Sequence, residues 1–136
     1  MRTNRLWALI SPLAALLFLS GLGDASAVQP AATVTMTDQP ANFMPARVTI
    51  KVGETVEWKN TGLILHSATD NPAEAAKPET VSAPPGAAPF DSGFMNPGVV
   101  YRHTFTVPGT YRYVCLPHQA EGMAGEIVVE PLRQDR

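Results

Sequence analysis

The stretch Tyr113-Val114-Cys115-Leu116-Pro117-His118-Gln119-Ala120-Glu121-Gly122-Met123 holds the only cysteine of the chain, one of its three histidines and one of its five methionines. A thiolate, an imidazole and a thioether are soft donors, a set that suits Cu(I), Cu(II) or another thiophilic metal. Two residues lie between Cys115 and His118, so a single turn can aim both side chains at one point. Met123 follows after four more, and Pro117 and Gly122 are the residue types that shape such a turn. Three soft donors alone leave a metal under-coordinated. The candidate for the missing one is His66, well upstream.

A lone cysteine needs a reason when the chain is exported, because exported proteins pair their cysteines or lack them. The start of the chain reads as an export signal. Arg2 and Arg5 precede an apolar run over residues 6–19, and Ala25-Ser26-Ala27 then supplies a small-residue cleavage site. The run is shorter than a membrane-spanning helix requires, and Pro12 interrupts it. No cysteine stands near the cleavage point to carry a lipid. We therefore divide the chain into a signal peptide, residues 1–27, and a mature domain, residues 28–136. Removing 27 of 136 residues leaves 109, enough for one domain with its own core and too few for two. Arg2, Arg5 and Asp24 leave with the signal, which takes the formal charge from −2 to −3. No run of like charge is present, so neither nucleic acid nor an anionic membrane surface has an electrostatic footprint to bind.

From Val28 onward the pattern is β, with alternation of period two and frequent Pro and Gly breaks. Ala32-Thr33-Val34-Thr35-Met36 reads as a first strand and Phe43-Met44-Pro45 as a break. Val48, Ile50 and Val52 alternate with Thr49 and Lys51. Past the Gly53-Glu54 turn, Val56 and Trp58 point inward while Glu57 and Lys59 face water. Trp58 is read as a core plug. Asn60-Thr61-Gly62 is a further turn, leading into Leu63-Ile64-Leu65-His66. Residues 70–89, rich in Pro and Ala, form the least regular stretch, read as a surface excursion in which Asn71 caps a short helix starting at Pro72.

Two strands then flank Val107-Pro108-Gly109. A three-residue hairpin loop there pairs Phe105 with Tyr111, His103 with Tyr113 and Tyr101 with Cys115, so that all six face the core. His103 then lies one inward step below the cysteine and packs rather than ligates. Ile127 and Val129 mark the closing strand. About eight short strands in this length, with no long helix, predict an all-β fold: a two-sheet Greek-key β-sandwich.

Three features together carry a family resemblance: Cys115-x2-His118-x4-Met123, the upstream Trp58-Lys59-Asn60…His66, and Val107-Pro108-Gly109-Thr110-Tyr111-Arg112-Tyr113 running into the cysteine. The chain resembles the cupredoxins, the small blue-copper proteins, and most closely their plastocyanin and pseudoazurin branch, over residues 43–130. The resemblance implies one type 1 copper ion held by His66, Cys115, His118 and Met123, with each imidazole binding through the ring nitrogen nearer its backbone. Two imidazoles and a thiolate in a plane, with a weak axial thioether, make an electron-transfer site. The far edge of His118 then looks outward through an apolar patch of Leu63, Pro117, Ala120 and Gly122, where redox protein partners dock.

One detail departs from the family, which commonly follows the first histidine with an Asn bonding toward a hydroxyl residue beside the cysteine. Here those positions are Ser67 and Leu116. The same ligands then sit on a differently supported loop. Met36, Met44 and Met95 are read as packing residues.

The function that follows is a monomeric, exported electron carrier of the periplasm, cycling Cu(I) and Cu(II). The alternative is a copper-binding protein for storage or delivery without redox shuttling. An enzyme using Cys115 as nucleophile and His118 as base lacks an oxyanion hole and an orienting acid.

Overall fold

The computed structural model describes residues 28–133, so the proposed signal peptide lies outside the described residues. Seven strands are present among them: β1 (Ala32–Asp38), β2 (Ala41–Met44), β3 (Arg47–Lys51), β4 (Thr55–Asn60), β5 (Val100–Thr104), β6 (Gly109–Val114) and β7 (Ala124–Glu130). Two 3-10 turns, Pro78–Thr80 and Leu116–Glu121, complete the regular elements. One sheet has the order β2-β1-β4-β5 and the other β3-β7-β6. Each is mixed, with β1 and β4 parallel in the first and β3 and β7 parallel in the second.

Alternation decides which residues fill the space between the sheets. Val34 and Met36 of β1, Val56 and Trp58 of β4, Val48 and Ile50 of β3, and Ile127 and Val129 of β7 are all buried. At every second position this is the pattern of a sheet wetted on one face. Trp58 is fully buried at the centre, with Phe90, Tyr113 and Tyr101 at 5.2, 5.5 and 5.8 Å between ring centroids. Its pairing with Tyr113 is edge-on at 87°, an arrangement the aromatic quadrupoles favour.

The β-sandwich agrees with the sequence reading, with seven strands where about eight were predicted. The hairpin across residues 107–109 does not form. β5 pairs with β4, setting Tyr101 opposite Trp58 and His103 opposite Val56, whereas β6 pairs with β7. Residues 105–108 instead carry the chain from one sheet to the other. The six residues assigned to the core do face it, but from opposite walls. Phe105 meets Tyr111 edge-on at 4.8 Å across the sandwich. Alternation tells which way a side chain points and is silent about which strand lies alongside.

Other local readings also change. Phe43, taken for a break, is an inward residue of β2 paired with Met36. Met36 and Met95 pack in the core, but Met44 is exposed. Asn71 does cap, its Oδ1 accepting the Ala73 amide at 3.1 Å, yet only a turn follows. His103 packs between Phe90 and Phe105, and burial pushes its pKa down.

Candidate metal centre

The end of the sandwich where β4 leaves one sheet and β6 the other carries the site. After β4, the Asn60 side chain organises the descending loop. Its Nδ2 donates to the carbonyls of Ile64 at 2.8 Å and Met95 at 2.9 Å, and its Oδ1 accepts the Gly62 amide at 2.9 Å. His66 then exchanges backbone hydrogen bonds with Met95 and is fully buried. The turn signal read at Asn60-Thr61-Gly62 is thus a side-chain brace.

After β6, Cys115 opens a closed loop. The His118 amide donates to the Cys115 carbonyl at 3.1 Å, the Met123 amide to the His118 carbonyl at 3.2 Å, and the Cys115 amide to the Met123 carbonyl at 3.0 Å. Gly122 ends the 3-10 turn at φ 85°, a left-handed conformation that costs a residue with a Cβ and costs glycine little. These bonds fold nine residues back on themselves, so Cys115, His118 and Met123 leave the same small knot of backbone.

The two loops bring three donors together. Nδ1 of His66 is 3.6 Å from Sγ of Cys115, and Nδ1 of His118 is 3.4 Å from it. All three lie within 4.8 Å of one another. In both rings it is the nitrogen nearer the backbone that faces the sulfur. Cys115 is fully buried, and that burial pushes its thiol pKa up, with the Ser67 and His118 amides pulling the other way. A thiolate in such a place lacks a positive partner, which a cation between the three donors supplies. The donor chemistry fits one copper ion. Met123, which closes this loop through its backbone, is fully buried.

Support around the donors was only partly foreseen. Ser67 Oγ accepts the Leu116 amide at 2.8 Å, and the Ser67 amide donates to Cys115 Sγ at 3.3 Å. The Asn-to-hydroxyl bridge is thus replaced by a serine bonding to backbone. Residues 70–89, read as a bare excursion, buttress the ligand loop. Gln119 accepts the Ala76 amide at 2.9 Å and donates to Thr80 Oγ1 at 3.0 Å, while Ala75, Val81 and Val114 form a small buried cluster that Leu116 packs against. Asp38, at the end of β1, was missed altogether. Its Oδ1 lies 3.0 Å from Nε2 of His66 and its Oδ2 accepts the Leu63 amide at 2.6 Å. The Leu63 amide first, and then the His66 ring, hold its carboxyl below the usual carboxylate range. No sequence signal links it to a histidine 28 residues on.

Apolar residues on both donor-bearing loops are open to solvent. Leu63 is 87% exposed, with Ile64, Leu65, Pro117, Ala120 and Gly122 also open. Phe94, 65% exposed and not anticipated, precedes the Met95 that pairs with His66.

Comparison with known proteins gives a consistent picture. Residues 30–130 match the family described as copper binding proteins, plastocyanin/azurin family. Over 88 residues the chain is 39% identical to the chloroplastic plastocyanin of Tetradesmus obliquus, an alignment covering 65% of this chain and 58% of that protein. It is 34% identical over 89 residues to the halocyanin of Natronomonas pharaonis, covering 65% of this chain and 48% of the relative. The chain thus spans less than two thirds of the length of either relative. Among solved structures, an amicyanin variant in its Cu(I) form superposes with a TM-score of 0.58 at 29% identity, over 78% of this chain and 88% of that one.

Proposed function

This chain belongs to the plastocyanin/azurin family of copper-binding proteins, and from that premise we propose that it is an exported blue-copper electron carrier. His66, Cys115 and His118 would hold the copper ion, with Met123 as a weaker fourth donor. The observation that carries the reading is the convergence of two imidazole Nδ1 atoms on one buried thiol.

When bound, copper supplies a one-electron Cu(I)/Cu(II) couple. The remaining work falls to the chain. Backbone bonds close the 115–123 loop and tie the positions of His118 and Met123 to Cys115, a support that would limit rearrangement on electron transfer. Burial of Cys115 and His66 keeps water from the sulfur. His118, only partly buried, is the proposed ligand whose ring would stand within reach of a partner. The apolar collar around it, with Leu63 and Phe94 as its largest exposed members, is the docking face for redox protein partners. A small contact of this kind suits brief encounters, since redox partners meet through the smallest class of interface.

Residues 1–27 act as the export signal, and the mature monomer works in the periplasm. Among the described residues no helix is long and apolar enough to cross a membrane.

The test is colour and cycling. The Cu(II) form absorbs intensely in the visible through thiolate-to-copper charge transfer, and Cys115→Ser abolishes the band. Repeated chemical reduction and reoxidation without loss of copper is the expected result. Copper released on each reduction would assign the protein to storage or delivery instead, and a colourless copper-loaded protein would overturn both the type 1 site and the carrier role.

A further inference from the structure

Asp38 sits at the carboxyl end of β1, on a different element from any of the proposed ligands. Its carboxylate is also paired directly with one of them, the ring of His66. Both of its oxygens are committed, Oδ1 to Nε2 of His66 at 3.0 Å and Oδ2 to the amide of Leu63 at 2.6 Å. The contact is shaped by a third residue. A Cβ built on Gly62 would overlap Oδ1 of Asp38, so the carboxylate reaches the ring only because position 62 carries no side chain. Three residues on two elements are thus fitted to one contact.

With Nδ1 of His66 turned to the cysteine sulfur, Nε2 carries the proton and donates it to the carboxylate. A charged acceptor on that N–H fixes the ring and makes the opposite nitrogen a stronger donor. A stronger nitrogen donor favours the more highly charged oxidation state of a bound metal. We propose that Asp38 is a positioning residue for His66 that biases the site toward Cu(II) and so lowers its reduction potential, with Gly62 as the cradle that admits it. This rests on the copper reading above, but the contact itself does not.

The experiment compares Asp38→Asn, Gly62→Ala and the Asp38→Asn/Gly62→Ala double variant with the parent protein. Asp38→Asn removes the charge, and its amide oxygen remains able to accept the Leu63 amide. Gly62→Ala keeps the charge nearby but evicts it from the ring. Two quantities are read: the midpoint potential of the copper-loaded protein, and the proton resonance of the His66 Nε2–H in the metal-free protein.

The expected result is that each single variant weakens the preference for Cu(II) over Cu(I) about tenfold, a rise of about 59 mV for one electron. In each the Nε2–H resonance moves upfield and exchanges faster with water. The double variant should do no more than either single one, because both break the same contact. Potential and resonance both unmoved in folded, blue Asp38→Asn would overturn the proposal. So would a shift in Asp38→Asn with none in Gly62→Ala, which would reduce Asp38 to a distant charge. If the parent protein proved not to be a blue-copper protein, the carrier reading and the effect of Asp38 on a copper potential would fall together. The resonance in the metal-free form would still decide whether Asp38 holds His66.

Discussion

Residues 66–70 and residues 115–123 bring donors to the same point, yet the first stretch is buried from end to end while the middle of the second is open to solvent. The first is stitched into its surroundings by backbone bridges from His66 to Met95 and from Thr69 to both Asp91 and Val114. Its histidine is held from behind by Asp38. The second is held mainly to itself, through bonds among Cys115, His118 and Met123, with Gln119 leaning on residues 76 and 80. One imidazole is therefore part of the scaffold and the other part of the surface. A carrier needs both, because the ion must be held rigidly while one edge stays within reach of a partner.

Removing each imidazole in turn tests that division most severely. His118→Gly and His66→Gly should each lower copper affinity by more than the 10- to 100-fold that loss of a supporting residue costs. Added free imidazole should restore the blue band in His118→Gly, since that ring leaves a gap open to solvent. It should fail in His66→Gly, whose ring is fully buried behind the loop of residues 60–65. A titration of each variant with imidazole, followed by absorption, gives the answer. Equal rescue at both positions would erase the distinction drawn here.

Asp70 closes the buried stretch and offers a smaller effect. Its Oδ1 accepts the Phe90 amide at 2.7 Å, but Oδ2 has no partner among the described residues and the residue is 1% exposed. Burial, aided by the charge of Asp91, raises its pKa from 3.8 to about 6. The folded state thus binds the proton more tightly than the unfolded chain does. The contribution of Asp70 is fully favourable below pH 3.8 and is lost as pH rises through about 6. Within that window the slope approaches about 1.4 kcal/mol per pH unit. Urea unfolding of the metal-free protein between pH 7.5 and 4.5 should show the parent gaining stability relative to Asp70→Asn as pH falls. A constant difference across that range would mean that Asp70 ionises freely in the fold.

How legible all this was in the sequence follows from where the information lies. Cys115, His118 and Met123 are contiguous and chemically distinctive, so their spacing pointed to a site before any fold was known. The inward residues of β1, β3, β4 and β7 followed from alternation, which is a local property. What failed was non-local. The sheet to which β5 belongs depends on Tyr101 finding Trp58, and no pattern within residues 100–114 encodes that. Nothing in the sequence singles out Asp38. Its role appears only once β1 lies parallel beside β4 and the chain descends past it through Gly62. Residues 70–89 carry no period at all, so their packing against Leu116 and Gln119 was invisible.

Ser67 is where the buried and open stretches meet, and it yields the smallest effect. Its hydroxyl oxygen accepts the Leu116 amide, just past the cysteine, while its own amide donates to the sulfur. Ser67→Ala removes the first bond and leaves the second intact. The orphaned Leu116 amide is part-buried, so stability should fall by about 1 kcal/mol, read from the thermal or urea transition of the metal-free protein. The sulfur keeps the Ser67 backbone amide, and the ligand loop keeps its own closing bonds. The blue band should therefore hold its position and the potential should move less than in Asp38→Asn. A larger shift in Ser67→Ala would reverse the order of the two supports. The hydroxyl tie across the stretches would then govern the copper site more than the carboxylate behind His66 does.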